Sequence, residues 1–248
     1  GAGKGGSIMQ GSSVNVTGGL IRGNVYAGGT SGAVRGNTSV TVTGNSAVLH
    51  NGSSWGSISG GGSGGTVGGA SGTAAYGFDK YAGAISGGTN VSGNRTLVLD
   101  HVTVNSFQAS LSDFTHVSVV NRTNTALDSL GGALTLTIES GSALTLAGAS
   151  DLTSLVLGEN AALTLQALTA GSVIVDITGT SSYTLSLTEI PANLANIKFL
   201  SNGVLYDAQM TTDPQANTAM IFALPCCGEG AEQFPIDGPL FSSGFNGN

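Results

Sequence analysis

The chain has 248 residues, of which 40% are hydrophobic, 8% are charged and 41 residues are glycine. Its formal net charge of −7 and the lack of a basic patch disfavour a nucleic-acid-binding protein. The low charge and large hydrophobic fraction argue against a disordered chain. The sequence has no run of about 18 apolar residues, so no transmembrane helix is predicted.

Residues 1 to 95 form the first predicted region, a series of glycine-rich β-coils. The strings YAGGTSGAVRGNTSVTV and YAGAISGGTNVSGNRTLVL carry Gly-Asn pairs with a 57-residue offset, at Asn37 and Asn94. The string SSVNVTG returns as TSVTVTG with a 26-residue offset. These offsets predict coils of about 26 to 30 residues, with Asn37 two coils away from Asn94.

Three aromatic residues of this region are spaced at about one coil length. The spacing from Tyr26 to Trp55, and that from Trp55 to Tyr81, both match the predicted length of a coil. We therefore predict an aromatic ladder, in which the three rings stack in offset fashion on consecutive coils and hold the glycine-rich strands in register. The alternative is that three aromatic residues fall at this spacing by chance.

Residues 96 to 190 form the second predicted region, in which Leu, Val and Thr replace glycine. The string ALTL ends at Leu146 and again, with a 19-residue offset, at Leu165, so these two leucines are predicted to stack. Short apolar runs alternate with Thr and Ser and are separated by turn-forming residues, as in successive β-strands. One continuous core is predicted to contain Leu144, Leu146, Leu155, Leu157, Leu163 and Leu165.

Fixed-period repetition of short strands without helical segments predicts an all-β fold, a parallel β-helix or β-solenoid. In such a fold each coil buries its inward side chains against the coil before it. Outward Thr and Ser favour strands without charge, because like charges stacked about 4.8 Å apart would repel each other. Strands at this spacing also suit the hairpins of a sandwich or barrel, which is the alternative fold.

The period fades after residue 190, where two further regions are predicted. Residues 191 to 224 are predicted to be a C-terminal capping region, because the last coil of a solenoid presents unpaired strand edges. Residues 225 to 248 contain three of the five prolines and are predicted to be an extended tail. We expect this tail to add to the first coil of the next subunit, head to tail, through Phe234, Phe241 and Phe245.

The two cysteines, Cys226 and Cys227, are adjacent in the sequence. They cannot join distant segments of one chain, so they leave open a disulfide with each other, a disulfide with another chain, or no disulfide. The cellular compartment cannot be read from them.

No constellation of residues predicts catalysis, a metal site or a cofactor site. His50, His101 and His116 lie in unrelated settings, and strand alternation predicts that Asp100 and His101 point to opposite faces. The chain is therefore predicted not to be an enzyme. Carboxylates recur singly in turn-like contexts, at Asp100, Asp113, Asp128, Glu139, Asp151, Glu159 and Asp176.

The alternative function is a carbohydrate-active β-helix enzyme, such as a polysaccharide depolymerase or lyase. Such an enzyme would bring at least two acids and a base together on one coil face. Between Arg122 and Lys198 the sequence has no basic residue, which disfavours a lyase.

Two strings resemble bacterial surface proteins. GNVYAGGTSGAVRGNTSVTVTGN resembles the glycine-rich repeats of large cell-surface proteins, and SGSALTLAGASDLTSLVLGENAALTL resembles the passenger regions of autotransporter-type adhesins. The resemblance covers residues 10 to 190 and transfers no functional residue. It implies a right-handed parallel β-helix that is secreted and is extracellular or at the cell surface, with a non-enzymatic structural or adhesive function. The expected partners are copies of the chain itself and glycans.

Overall fold

A computed structural model describes residues 5–43, 47–51, 54–78, 81–102, 110–127, 130, 134–147, 152–165, 173–177, 184–187, 197–201, 204–213 and 218–225. All regular structure in these residues is β-strand. The first strands are β1 (Ser12–Val16), β2 (Gly19–Ile21), β3 (Val25–Tyr26), β4 (Thr38–Thr43), β5 (Ala47–Asn51), β6 (Ser54–Trp55), β7 (Ile58–Ser59), β8 (Ser71–Tyr76), β9 (Ala84–Ser86), β10 (Arg95–Asp100) and β11 (Ser110–Ser112). The later strands are β12 (His116–Val120), β13 (Asn124–Leu127), β14 (Leu134–Ile138), β15 (Ala143–Leu146), β16 (Leu152–Leu157), β17 (Ala162–Leu165), β18 (Val173–Ile177), β19 (Thr184–Leu187), β20 (Ile197–Ser201), β21 (Val204–Asp213) and β22 (Thr218–Pro225).

The largest sheet contains 15 strands and is mostly parallel. In one part of this sheet, each strand pairs in parallel with the next, in the order β1, β4, β8, β10, β12, β14, β16, β18 and β20. In the other part, β13, β15, β17 and β19 do the same. The prediction of an all-β fold with parallel strands is confirmed.

Two smaller sheets accompany the first half of this sheet, and all their strand pairs are parallel except the antiparallel pair of β5 with β6. Strands β3, β7, β9 and β11 form a 4-stranded sheet, and β2, β5 and β6 form a 3-stranded one. A further column consists of single bridges that join Ile8 to Val34, Val34 to Val67, and Val67 to Val91. Successive repeats therefore place matching segments side by side on several faces.

The register of the parallel pairs confirms the sequence offsets. Ser12 pairs with Thr38, as the 26-residue offset predicts, and Leu146 pairs with Leu165, as the 19-residue offset predicts. The 57-residue offset relates β4 to β10, which lie two strands apart in the sheet. The two repeats that make up this offset differ in length. The first, from Thr38 to its partner Ser71, is longer than the second, from Ser71 to its partner Arg95.

A continuous hydrophobic core runs through the parallel strands. Five of the six leucines predicted to be in this core are at most 2% exposed and belong to one cluster of buried residues. The side chain of the sixth, Leu165, lies outside the described residues, although its backbone pairs with Leu146. The five are Leu144, Leu146, Leu155, Leu157 and Leu163.

Glycine is abundant in the first half chiefly because backbones of neighbouring repeats approach closely. A Cβ atom on Gly62 would lie 2.3 Å from the carbonyl oxygen of Gly29, and one on Gly65 would lie 2.2 Å from that of Gly32. Neither Gly62 nor Gly65 has a left-handed φ, so space rather than backbone conformation demands glycine there.

An antiparallel hairpin lies at the C-terminal end of the largest sheet. Its strands β21 and β22 pair with each other, while β21 pairs with β20 and β22 pairs with β19. The hairpin thus joins the last strands of both parallel parts.

No helix in the described residues is long and apolar enough to cross a membrane. Apart from Pro225, the last residue of β22, the predicted tail lies outside the described residues, and with it Cys226, Cys227, Phe234, Phe241 and Phe245.

Candidate functional site

The ends of β8, β10, β12, β14 and β16 lie side by side. Tyr76 at the end of β8 pairs with Asp100, and Asp100 pairs with Val120. The same row continues through β14 and β16. With neighbouring strands about 4.8 Å apart, the row is about 19 Å long. We call this surface the turn row and define it by Tyr76, Asp100, His101, Asn121, Arg122, Glu139, Ser140, Gly158 and Glu159.

Three turns of the row recur with the 19-residue offset of the sequence. Each contains a residue with left-handed backbone, namely Arg122 (φ 59°), Gly141 (φ 72°) and Asn160 (φ 56°). A Cβ atom on Gly141 would lie 3.5 Å from Cγ of Arg122, so these two turns touch. Backbone hydrogen bonds of 2.9 to 3.1 Å close the turns, with N–H donated by Thr123 to Val120, by Ser142 to Glu139 and by Ala161 to Gly158.

Two large side chains occupy left-handed positions in the turn row. His101 has a φ of 51° and Arg122 a φ of 59°. Gly77 precedes His101 at the matching place one strand earlier, and Gly141 follows Arg122 one strand later. A left-handed conformation costs a residue with a Cβ atom about 1–2 kcal/mol, and such strain is concentrated at functional sites.

Asp100 holds its neighbours together through both carboxylate oxygens. Its Oδ1 contacts Nδ1 of His101, and its Oδ2 accepts a hydrogen bond of 2.9 Å from Nδ2 of Asn121. The prediction that Asp100 and His101 point to opposite faces is wrong, because the left-handed backbone of His101 ends the strand alternation. The ring of Tyr76, itself exposed, lies 5.4 Å from that of His101, measured between centroids.

An open depression of about 340 Å³ lies within the turn row. Arg122 and Glu139 both line it and are exposed, and neither side chain forms an ion pair within the described part of the chain. The sequence analysis did not predict that Arg122 and Glu139 line one depression, because the two residues belong to different repeats. The 19-residue offset could have indicated it, since it aligns Arg122 with Gly141, close to Glu139 in the chain. The lining residues are Asn121, Arg122, Thr137, Ile138, Glu139, Ser140, Val156 and Gly158.

The predicted aromatic ladder is present only in part, since two of its three members contact each other. Trp55 and Tyr81 make an edge-to-face contact at 5.6 Å, and Phe78 contacts Tyr81 at 5.1 Å. Tyr26 pairs instead with Ser59, because the repeat at this point is longer than the number of residues from Tyr26 to Trp55. Burial raises the pKa of the Tyr81 phenol, whose hydroxyl donates a 2.6 Å hydrogen bond to the carbonyl of Gly56. The cluster is thus part of the core.

Strand β1 forms an edge of the largest sheet. Among the described residues it pairs only with β4. The N–H of Ser12 donates to the carbonyl of Asn37 at 2.9 Å. Because alternate residues of a strand face opposite neighbours, the backbone groups of Ser13 and Asn15 point away from β4. Leu20, close by in β2, is 55% exposed.

Comparisons with known proteins identify no relative. No family model, curated protein or solved structure matches the chain. Within the described residues, no group of three or more His, Cys, Asp or Glu side chains is placed to hold a metal ion.

Proposed function

We propose that this chain is a right-handed β-solenoid that acts at the cell surface as a non-enzymatic structural or adhesive protein and associates with copies of itself. Parallel pairing of successive repeats in fixed register supports the solenoid. The charge-poor composition and the resemblance of both halves to bacterial surface repeats support the location and the structural role.

The edge of β1 carries the proposal of self-association. Its outward backbone groups, at Ser13 and Asn15, pair with no other strand among the described residues, and Met9 and Leu20, which precede and follow β1 in the chain, are exposed. Such edges pair readily with added strands. The proposed donor is the segment of a second copy that contains Phe234 and Phe245, which gives a head-to-tail contact and hence an open filament or a ring.

Replacing Asn15 by Pro is expected to abolish self-association while leaving the fold intact. Proline removes the outward N–H of Asn15, whereas the bonds from β1 to β4 involve the alternate residues. Sedimentation velocity over a range of protein concentrations measures the effect. Asn15→Ala, which keeps the N–H, is the matched control and is expected to associate like the unaltered protein.

Deletion of residues 228 to 248 tests the donor in the same measurement and is expected to give a folded monomer. Undiminished polymers of both the proline variant and the truncated chain would contradict the proposed contact. A monomeric unaltered protein at all concentrations would contradict self-association itself.

Polysaccharide cleavage is a second candidate function, favoured by one observation. Arg122 and Glu139 share the depression, and Asp100 lies in the same row, one strand from Arg122 and two strands from Glu139. Both oxygens of Asp100 are engaged by His101 and Asn121, so this carboxylate is not free to act as a second catalytic acid or base beside Glu139. These features support binding rather than cleavage.

Incubation with polysaccharides is expected to release no new reducing ends. Because glycosidic hydrolysis exposes one reducing end for each bond broken, a reducing-sugar assay detects it directly. Time-dependent release that Glu139→Gln abolishes would contradict the non-enzymatic proposal and favour the second candidate.

A further inference from the structure

We propose that the turn row binds a neutral polysaccharide that runs along the stacking direction, across the ends of β8 to β16, with His101 and Arg122 as its main contacts. The inference deepens the adhesive role proposed above and rests on it for the polymeric nature of the ligand. It assigns that role to one surface and one class of glycan.

The backbone of the turns provides the first argument. His101 and Arg122 adopt left-handed conformations that glycine provides at neighbouring repeats, through Gly77 and Gly141. The guanidinium of Arg122 makes no hydrogen bond or ion pair within the described residues that would offset this strain. A ligand in the depression would supply the missing partner, as at other strained functional sites.

The hydrogen-bonding groups of the row suit hydroxyls. The carboxylate of Asp100 occupies Nδ1 of His101, so Nε2 is the ring nitrogen left for a ligand, and it donates or accepts according to the tautomer. Arg122 donates, Glu139 accepts, and Ser140 does both. Sugar hydroxyls both donate and accept, so they match this mixture. The exposed ring of Tyr76 adds an apolar face at the end of the row.

The charge of the row decides between neutral and acidic glycans. Three carboxylates, those of Asp100, Glu139 and Glu159, lie along it with a single guanidinium, that of Arg122. The whole chain has a formal charge of −7. A polymer of uronic acids would therefore be repelled, whereas a neutral polymer has no such penalty.

The repeat geometry decides between a single sugar and a polymer. The depression, at about 340 Å³, lies near the lower end of the volumes typical of small-molecule sites. The polar row extends beyond it, from Tyr76 to Glu159 over about 19 Å. One sugar ring in the depression would leave the rest of the row to contact adjoining rings.

Affinity electrophoresis of the full chain tests the proposal. The neutral probes are soluble cellulose derivatives, mannan, xyloglucan and starch, and the acidic probe is polygalacturonate. We expect retardation by at least one neutral polymer and none by polygalacturonate. Binding to the neutral polymer is expected to change little with added salt, because no net charge is paired.

Two glycine variants localise the binding. Arg122→Gly and His101→Gly remove the side chains at positions whose backbone glycine adopts freely, so both variants are expected to unfold no earlier than the unaltered protein. Each is expected to weaken neutral-polymer binding by about tenfold or more. Arg35→Gln removes an exposed cation outside the turn row and is the matched control, with unchanged binding.

The proposal is overturned if none of the neutral polymers binds, if polygalacturonate binds as tightly as they do, or if both glycine variants bind like the unaltered protein. None of these outcomes affects the sedimentation of the Asn15 variants. Failure of the glycan site is therefore distinguishable from failure of self-association.

Discussion

Replacing Leu155 by Ala is expected to lower the free energy of unfolding by about 2 to 5 kcal/mol. Leu155 is fully buried and lies in register between Leu136 on one side and Val175 on the other. Removal of its side chain leaves a cavity between stacked strands that the flanking residues cannot fill without breaking their own register. Chemical denaturation followed by far-UV circular dichroism measures the loss.

Thr145→Ala is the matched control for the Leu155 variant. Thr145 is exposed on β15, between the buried residues Leu144 and Leu146. Its removal is expected to change the stability by less than about 0.5 kcal/mol. Equal effects of the two substitutions would show that the inward and outward faces of the strands are assigned incorrectly.

Replacing Gly62 by Ala is expected to destabilise the glycine-rich half by about 1 to 3 kcal/mol or more. The added Cβ atom would lie 2.3 Å from the carbonyl oxygen of Gly29, far inside van der Waals contact. Because the obstacle is backbone in the neighbouring repeat, no rotation of a side chain can relieve it. Thermal unfolding monitored by circular dichroism measures the effect.

Gly72→Ala distinguishes crowding from the general effect of losing a glycine. A Cβ atom on Gly72 in β8 would meet its nearest neighbour, Oγ1 of Thr96, at 3.5 Å, an ordinary contact. This substitution is expected to be neutral or to stabilise by up to about 1 kcal/mol, because alanine restricts the unfolded chain. A loss as large as that for Gly62→Ala would refute the explanation based on close backbone approach.

The parallel register was predictable because identical or closely similar strings stack on one another. Leu146 pairs with Leu165 for this reason, and the strings at Ser12 and Thr38 pair as their offset indicates. The uneven division of the 57-residue repeat at Ser71 was not predictable, since β8 shares little sequence with the strands on either side of it.

The turn row was harder to predict, because its residues come from successive repeats. Asp100 and His101 contact each other only because His101 leaves the extended conformation. No glycine stands at this position of the sequence, so the left-handed turn was not predicted. The predicted position of Tyr26 in the ladder is wrong, because the spacing from Tyr26 to Trp55 is shorter than the repeat at this point. In the structure Tyr26 pairs with Ser59, which lies beyond Trp55 in the chain.

The hairpin of β21 and β22 determines where this protein can change in length. Its antiparallel pairing with β20 and β19 offers no parallel template for a further repeat. Duplication or loss of one 19-residue unit between β12 and β17 would instead keep the remaining strands in register, since the pairs there follow that interval except at the register shift between Leu134 and Thr135. Gene duplication within this stretch would thus lengthen the molecule by about 4.8 Å per unit and leave both ends unaltered.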